Sequence, residues 1–482
     1  MNLKMIFSTV GKVVLIEAVL LVLPLITALV YLEWMVALSF GITIAIALAL
    51  YGLSRLLSTP QTTEIFSKEG LIIVALAWLM MSFIGCLPFI ISGEIPNFID
   101  ALFETVSGFT TTGASILSDV EGVSRGCLFW RSFTHWIGGM GVLVFVMAVS
   151  SKNNDRSIHI LRAEMPGPTV DKLVPRAKDT AKILYLIYIV LTIVLIIMLL
   201  LGGMPLFDSI LHAFGTAGTG GFGVKNSSIA GYNDYCQWVI AIFMLIFGVN
   251  FNLFYLVIVG KITSAIKSEE LWLYVTIVVV SAVTITANLI ITLNESFGTA
   301  LKLSVFQVAS IISTTGYSTA NFDLWPTLSK SILLILMFIG ACASSTAGGL
   351  KVSRILLLGK NINREFKRVL HPRNTSVVKV DGKRVDETTI NGVMSYLAVY
   401  LACFVIIFLL ISFEPFGIES NFSAVTACFN NVGPGFYAVG PASNFSAYTG
   451  FSKVVLTLAM LLGRLEIYPI LLTLMPTTWI KR

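Results

Sequence analysis

Long apolar segments separated by short polar connections dominate the hydrophobic pattern of this chain. Several of them reach the length of about 18 residues that a helix needs to cross a bilayer. The three clearest read VVLIEAVLLVLPLITALVYL, AKILYLIYIVLTIVLIIMLLLGG and LWLYVTIVVVSAVTITANLIITL. Two helices, over about residues 11–31 and 35–57, come first, and we expect the earlier one to be retained because it is too long for a signal peptide. The pattern predicts an all-α polytopic membrane protein.

Four short stretches rich in small and polar residues interrupt the apolar pattern. They read FTTTGAS, AGTGGFG, ISTTGYS and NNVGPGF, and they align on Gly113, Gly221, Gly316 and Gly433. Before each lies a segment too short to span a membrane, which reads IDALFETVSGF, FDSILHAFGTA, ALKLSVFQVASII or NFSAVTACF. The repeated order predicts four units, each made of a long helix, a re-entrant half-length helix, a glycine loop and a second long helix.

The repeated order divides the chain into five parts. Two extra N-terminal transmembrane helices occupy residues 1–60, and the first unit occupies 61–155. The second unit (156–268) and the fourth unit (361–482) each begin with a basic connection, and the third unit covers 269–360. The two N-terminal helices and two long helices in each unit make ten spans, so both termini are predicted on the same side of the membrane.

Charge is sparse and unevenly distributed. Charged residues make up 12% of the chain, against about 25% in soluble domains. The net charge is +6, and the basic residues concentrate in two connections, about residues 151–180 and 358–388. Basic loops between spans stay cytoplasmic. We therefore expect both termini in the cytoplasm, the glycine stretches on the outer side and no nucleic-acid partner.

Catalytic and cofactor chemistry finds little support in the sequence. The six cysteines show no C-x-x-C spacing and the four histidines are scattered, which argues against disulfides and a metal cluster. GTGGFG, at residues 218–223, satisfies the dinucleotide fingerprint, but a half-length apolar helix precedes it where a strand is required. No nucleophile–base pair is recognisable. We expect neither an enzyme nor an organic cofactor on this chain.

The chemistry of the four glycine stretches suits a cation. Irregular backbone at membrane depth is tolerated where protein buries it or where it lines a watery cavity. Four such segments about one axis would form a ring of carbonyl oxygens, which can replace the hydration shell of a potassium ion. Glycine allows the backbone angles that such a ring needs. The candidate potassium-binding residues are Thr111, Thr112, Gly113, Thr219, Gly220, Gly221, Thr314, Thr315, Gly316, Asn431, Val432 and Gly433. Turns or tight helix contacts are the alternative explanation.

Two further features lie within the predicted spans. GACASSTAGGLK, from Gly340 to Lys351, interrupts the second helix of the third unit, and its small residues indicate either close helix packing or an unwound loop. Arg464 lies in LTLAMLLGRLEIYPILLTL, where a charge is costly and usually faces the protein interior or water. A structural salt bridge and a fixed charge beside a cation pathway both explain it. Glu466, two positions on, is not an automatic partner on a helix.

Together these motifs resemble the Trk/Ktr/HKT superfamily of potassium transporters, specifically its bacterial TrkH-type membrane subunits. The resemblance covers essentially the whole chain and rests on TTTGAS, GTGGFG, STTGYST, NNVGPGF, FWRSFTHWIGGMGVLVF and GACASSTAGGLKVSRI. It implies four units around one pore by pseudo-fourfold symmetry, with a glycine in each filter loop. It also implies an intramembrane gate in the third unit. The implied gate residues are Gly340, Ala343, Ser344, Ser345, Thr346, Gly348, Gly349, Lys351 and Arg464.

The same resemblance implies potassium uptake across the bacterial cytoplasmic (inner) membrane through a channel-like pore, with potassium bound only at the filter. The expected partners are a cytosolic TrkA-type nucleotide-binding subunit that controls the gate, a second copy in a homodimer, and membrane lipid. A carrier that couples potassium to protons or sodium by alternating access is the alternative. A sensor or scaffold without transport leaves the four filter-like stretches unexplained.

Overall fold

The computed structural model describes residues 2–58, 67–141, 177–371 and 377–479. The α-helices in chain order are α1 (Leu3–Leu20), α2 (Val22–Val30), α3 (Trp34–Leu57), α4 (Ser67–Gly85), α5 (Leu87–Ser92), α6 (Phe98–Phe109), α7 (Arg125–Gly139), α8 (Ala177–Leu201), α9 (Leu206–Gly218), α10 (Asp234–Phe247), α11 (Phe251–Ile258), α12 (Ile262–Ile266), α13 (Glu269–Leu293), α14 (Phe297–Ile312), α15 (Thr327–Ile339), α16 (Val352–Leu370), α17 (Glu387–Ile411), α18 (Ile418–Phe429), α19 (Gly450–Arg464), α20 (Tyr468–Leu474) and α21 (Pro476–Trp479). Two 3-10 turns lie at Phe322–Leu324 and Tyr437–Val439, and the strands are β1 (Lys379–Val380) and β2 (Lys383–Arg384).

Six helical segments of the described chain are long and apolar enough to cross a membrane. They are Leu3–Val30 (α1 with α2), Trp34–Leu57 (α3), Lys68–Ser92 (α4 with α5), Asp179–Leu201 (α8), Glu269–Leu293 (α13) and Glu387–Ile411 (α17). These are the two predicted N-terminal helices and the first helix of each predicted unit. Their outer sides expose leucine, isoleucine and valine, as contact with lipid requires. The predicted class, a mostly helical polytopic membrane protein, is confirmed.

The second helices of the units differ from the prediction. The sequence predicted one interruption, in the third unit, and the structure has it between α15 and α16. The second unit is also broken, because α10 and α11 are bent by 90° relative to each other. In the fourth unit α19 ends at Arg464, and Glu466 and Ile467 have positive φ angles. In the first unit α7 ends at Gly139, close to residues outside the described ranges. The expectation of continuous second helices in the second and fourth units is therefore wrong, since apolar composition does not reveal where a helical hydrogen-bond ladder stops.

Four short helices, α6, α9, α14 and α18, match the predicted half-length segments. They contain 12, 13, 16 and 12 residues. At about 1.5 Å per residue these helices are too short to cross a hydrocarbon core about 30 Å thick. Most of their residues are buried, including the polar side chains of Glu104, His212 and Gln307. The short helices therefore form the interior of the protein, and the long helices form its lipid-facing periphery.

A small β-hairpin in the second basic connection was not predicted. Strands Lys379–Val380 and Lys383–Arg384 pair in antiparallel register. The two turn residues, Asp381 and Gly382, both have positive φ angles, as a type I′ turn requires. Asp-Gly between short β-prone segments is a recognisable signal for such a turn, so the sequence contained the information.

Candidate functional site

The four glycine loops, residues 111–113, 219–221, 314–316 and 431–433, share one backbone conformation. The first residue of each is left-handed, with φ between 54° and 56°, and the glycine two positions on has φ between 74° and 97°. In the first loop Thr111 N donates to Gly108 O at 3.1 Å and Thr112 N donates to Ser107 O at 2.9 Å. This is the Schellman arrangement, which ends a helix and turns the chain. The same pair of hydrogen bonds recurs at the other three loops.

The glycine loops contact one another in cyclic order. A Cβ placed on the glycine of one loop would lie against the carbonyl oxygen of the residue that precedes the glycine of the next. The four distances are 2.1 Å from Gly113 to Gly220 O, 1.9 Å from Gly221 to Thr315 O, 2.1 Å from Gly316 to Val432 O and 2.6 Å from Gly433 to Thr112 O. Because these contacts return to the first loop, four equivalent carbonyl groups surround one axis. A side chain does not fit between them.

A polar cavity of about 210 Å³ opens on one side of this ring. All four ring glycines line it, together with residues that follow them in the sequence, such as Ser115 and Ser318. At its rim Asn226 Nδ2 donates to Asp119 Oδ1 at 2.9 Å. This hydrogen bond holds the pKa of Asp119 below its usual value. Of the described residues that line the cavity itself, Arg131 and Lys225 are charged.

The other side of the ring carries side-chain oxygen atoms. Thr111 Oγ1 and Asn431 Oδ1 are buried there without a hydrogen-bond partner among the described residues. Thr314 Oγ1 instead accepts from Gly348 N at 2.7 Å. An unpartnered buried oxygen is costly, and oxygen atoms of this kind can coordinate a cation that has lost its water. Thr111 Oγ1 and Asn431 Oδ1 are therefore candidate ligands for a cation next to the carbonyl ring.

The intramembrane loop, residues 340–351, lies against this second side. It is not helical, and a backbone hydrogen bond from Leu350 N to Phe338 O, 3.1 Å long, ties its two ends together. Gly340 and Gly349 allow these ends to approach, since a Cβ on Gly349 would lie 2.8 Å from Gly340 Cα. Of the two explanations that the sequence left open, the structure supports an unwound loop of fixed shape.

The predicted gate residues come together in and beside this loop. An added Cβ on Gly348 would lie 2.6 Å from Asn430 O, at the start of the fourth glycine loop. Lys351, at the other end of the loop, is buried and donates to Ala347 O. The remaining predicted residues of the loop are Gly340, Ala343, Ser344, Ser345, Thr346 and Gly349.

Arg464 connects three of the predicted units at the tip of the intramembrane loop. Its guanidinium donates to Thr346 O at 2.7 Å, to Gly138 O at 2.6 Å and to Gly139 O at 2.9 Å. The sequence placed this residue within a spanning helix, but α19 ends at it. The carboxylate of Glu466 pairs with Arg354 on α16. A positive charge is thus fixed next to the loop that covers the ring.

Comparison with known proteins assigns this arrangement to a family. Residues 38–479 match the family described as TrkH, a cation transport protein. The chain belongs to the TrkH family. It is 36% identical over 489 residues to the Trk system potassium uptake protein TrkH of Salmonella typhimurium, across 99% of this chain and 100% of that protein. The corresponding TrkH of Escherichia coli (strain K12) is 35% identical over 494 residues, with the same coverage.

A solved structure agrees with the family assignment. The crystal structure of the potassium transporter TrkH from Vibrio parahaemolyticus matches this TrkH-family chain with a TM-score of 0.89 at 32% identity, over 100% of both chains. The family consists of transport proteins, so the expectation that this chain is a transporter and not an enzyme is confirmed.

A buried ion pair behind the first two glycine loops of this TrkH-family protein escaped the sequence analysis. Arg131 Nε lies 2.6 Å from Glu104 Oε1, and the side chains are 3% and 0% exposed. Arg131 also donates to Gly223 O at 3.0 Å, and Glu104 accepts from Ile116 N at 2.9 Å. The pair therefore fixes the backbone that leaves both loops. Residues on two different helices give no periodic signal for such a pairing.

Histidine and tyrosine side chains brace the second glycine loop of this TrkH-family chain from behind. His135 Nδ1 lies 2.7 Å from Gly108 O, and its Nε2 accepts from Phe222 N at 3.3 Å. On the other side Tyr317 Oη donates to Phe222 O at 3.3 Å. His212 Nδ1 lies 3.2 Å from the same tyrosine hydroxyl. Two of the scattered histidines thus position the backbone of the ring.

Proposed function

We propose that this chain carries potassium ions into the bacterial cell along the axis enclosed by the four glycine loops. The observation that carries the proposal is the closed ring of glycine-to-carbonyl contacts, which places four equivalent carbonyl groups about one axis. The names of the relatives support potassium as the ion, because the Salmonella and Escherichia coli proteins are both named potassium uptake proteins of the Trk system. Membership of a cation transport family agrees with it.

The ring and its surroundings supply what a dehydrated cation needs. Carbonyl oxygens replace the hydration shell of the ion, and the four half-helices end at the ring, where their C-terminal dipoles carry partial negative charge. The cavity of about 210 Å³ supplies hydrated ions from the outer side. The proposed ion-binding residues are those of the four glycine loops, residues 111–113, 219–221, 314–316 and 431–433.

The intramembrane loop is the gate in this proposal. It covers the inner side of the ring through the hydrogen bond from Gly348 N to Thr314 Oγ1. Arg464 holds the tip of the loop through Thr346 O and places a positive charge beside the path. Opening then requires the loop to move away from the ring, while its tied ends stay in place.

The same proposal makes the chain the membrane subunit of a two-part Trk system. It is a homodimer in the bacterial cytoplasmic (inner) membrane with both termini in the cytoplasm, surrounded by lipid. A cytosolic TrkA-type nucleotide-binding subunit binds the basic connections, where Arg368, Lys383 and Arg384 are exposed. Most of the first basic connection, residues 151–176, lies outside the described residues.

Unitary currents test the channel-like mechanism. Purified protein in a planar lipid bilayer with potassium on both sides is expected to pass discrete current steps, because a fixed ring with a gate needs no alternating cycle. The control is the same membrane with choline as the only cation, which is too large for a ring of backbone carbonyls. Potassium uptake into liposomes without discrete current steps would contradict the proposal and favour the coupled carrier.

Arg464→Ala is expected to raise potassium flux several-fold, and Arg464→Lys is expected to preserve most of the barrier. A unit charge about 4 Å from a passing cation opposes it by about 4 kcal/mol at an effective dielectric constant of about 20. Water and the carbonyls around the guanidinium reduce this value, so the expected increase is smaller than the full exponential. Potassium flux and melting temperature are measured on the same preparation. A destabilised alanine variant with unchanged flux per folded molecule would show that Arg464 is structural.

A further inference from the structure

The carboxylate of Glu270 holds the intramembrane loop from a neighbouring helix. Glu270 lies in the first turn of α13 and is 8% exposed. Its Oε1 accepts from Ala343 N, inside the loop, at 2.6 Å. The same carboxylate also lies close to Asn250, at the break between α10 and α11, and to Ser353, in the first turn of α16. One side chain thus holds the loop and lies beside the break between α10 and α11 and the first turn of α16.

The contact between Glu270 and Ala343 is one of three that hold this part of the loop, since Cys342 N donates to Gly248 O and Ser344 O accepts from Phe251 N. Ala343 offers only its backbone N–H to the carboxylate oxygen, and a backbone N–H left unpaired in the protein interior is costly. Both groups are buried, so a donor or acceptor left unpaired there carries a desolvation cost. Displacing the loop therefore requires Glu270 either to move with it or to lose this hydrogen bond.

The residue before Glu270 holds the β-hairpin. Glu269 N donates to Asp381 Oδ1 at 2.8 Å, and the Glu269 carboxylate pairs with Lys360 of α16. Lys360 Nζ also donates to Lys379 O at 2.6 Å. Because Glu269 and Glu270 are consecutive in one helical turn, a shift of the hairpin that pulls on Glu269 also shifts the carboxylate that holds the loop.

We propose that Glu270 is a positioning residue that keeps the intramembrane loop closed, and that the hairpin on Glu269 is the route by which a cytosolic partner releases it. The inference rests on the proposed function, since it requires the loop to be a gate. It adds a latch, Glu270, that lies outside the loop. It also adds a chain of contacts that connects the second basic connection, residues 358–388, to that latch.

The latch is tested by potassium flux into liposomes in the absence of any partner. Glu270→Ala removes the acceptor of the Ala343 N–H and is expected to raise flux per folded molecule about tenfold, equivalent to about 1.4 kcal/mol. Glu270→Gln keeps an oxygen acceptor without the charge and is expected to give a smaller increase. Melting temperatures are measured on the same samples.

Three outcomes of the flux measurement would contradict the proposal that Glu270 is a latch. These are wild-type flux in both variants, wild-type flux in Glu270→Gln if Glu270→Ala does not fold, and reduced flux in both. Reduced flux would mean that the carboxylate attracts cations and does not hold the loop. If deletion of Ser344 to Ala347 raises flux while Glu270→Ala does not, the gate stands and only the latch fails. If the deletion has no effect, the proposed gate itself fails.

The route through the hairpin is tested with the cognate TrkA-type subunit present. Lys360→Met removes one of the two contacts that join Glu269 to the hairpin, the other being Glu269 N to Asp381 Oδ1. We therefore expect stimulation of flux by the subunit, relative to each variant's own basal flux, to fall at least about twofold. Lys367→Met is the matched control, because it makes the same change at an exposed position of the same helix. Equal loss in both variants would indicate weaker docking of the partner and would overturn the hairpin route, as would full stimulation in a protein that carries both Lys360→Met and Asp381→Ala.

Discussion

Gly113→Ser is expected to lower the ratio of potassium to sodium flux about tenfold or more, a change of about 1.4 kcal/mol in relative barrier height. The new Cβ would lie 2.1 Å from Gly220 O, so the carbonyl group of the second loop must move. A residue with a side chain also resists the φ of 78° found at this position. A carbonyl displaced from the ring no longer replaces the water lost by potassium. The measurement is the flux of each ion into liposomes by the same folded preparation.

Substitutions at two other glycines serve as comparisons for Gly113→Ser. Gly203→Ser is the matched control, because Gly203 has a similar φ of 80° but no atom within 4 Å of an added Cβ. Gly433→Ser is expected to have a milder effect than Gly113→Ser, since its nearest carbonyl oxygen is 2.6 Å away. An unchanged ion ratio in folded Gly113→Ser protein would remove Gly113 from the filter.

Deletion of Ser344 to Ala347 is expected to raise potassium flux about ten- to a hundredfold in the absence of the regulatory subunit. Such an increase is typical of a gate whose open state is populated about 1–10% of the time. The deletion removes Thr346 O, which accepts from Arg464, and shortens the part of the loop that covers the ring. The hydrogen bond from Leu350 N to Phe338 O lies outside the deleted residues, so the ends of the loop should remain joined.

The gate deletion also predicts a loss of regulation. Flux through the shortened protein should depend little on the TrkA-type subunit, because the element that the subunit moves is absent. Ser345→Ala is the comparison: it keeps the length of the loop and removes the hydroxyl that donates to Cys342 O within the loop, so this variant should still depend on the subunit. A lower yield of folded protein with unchanged flux per molecule would identify the loop as a packing element.

The local pattern of the sequence predicted the four short helices and the loops that end them. An apolar segment of 12 to 16 residues cannot span a bilayer, and a following glycine permits the left-handed backbone that turns the chain. Both properties belong to a few neighbouring residues, so the spacing around Gly113 or Gly316 is informative without any tertiary contact. The break before Lys351 was also visible, because a run of small residues in a span has few explanations.

Other breaks had no comparable signal. The sequence from Asp234 to Ile258 is apolar enough to span a membrane, yet α10 and α11 are bent by 90°. The bend lies where Gly248 O accepts from Cys342 N and where Phe251 N donates to Ser344 O, both 3.0–3.1 Å long. These partners come from a distant loop, so the pattern around the bend does not contain them. The end of α19 at Arg464 is of the same kind, since the carbonyls that accept from Arg464 belong to other units.

The sequence by itself determined the membrane class, the order of long and short helices and the position of each glycine loop, because hydrophobic length and backbone permissiveness are local properties. Only the tertiary structure decided which carbonyl faces which glycine, that Arg131 pairs with Glu104, and that Glu270 holds Ala343. Those contacts join residues far apart in the chain, and each depends on distances of a few ångströms between separately packed helices. Hydrophobic periodicity places a residue inside the protein, but the partner of a buried polar group is fixed only when the helices have packed.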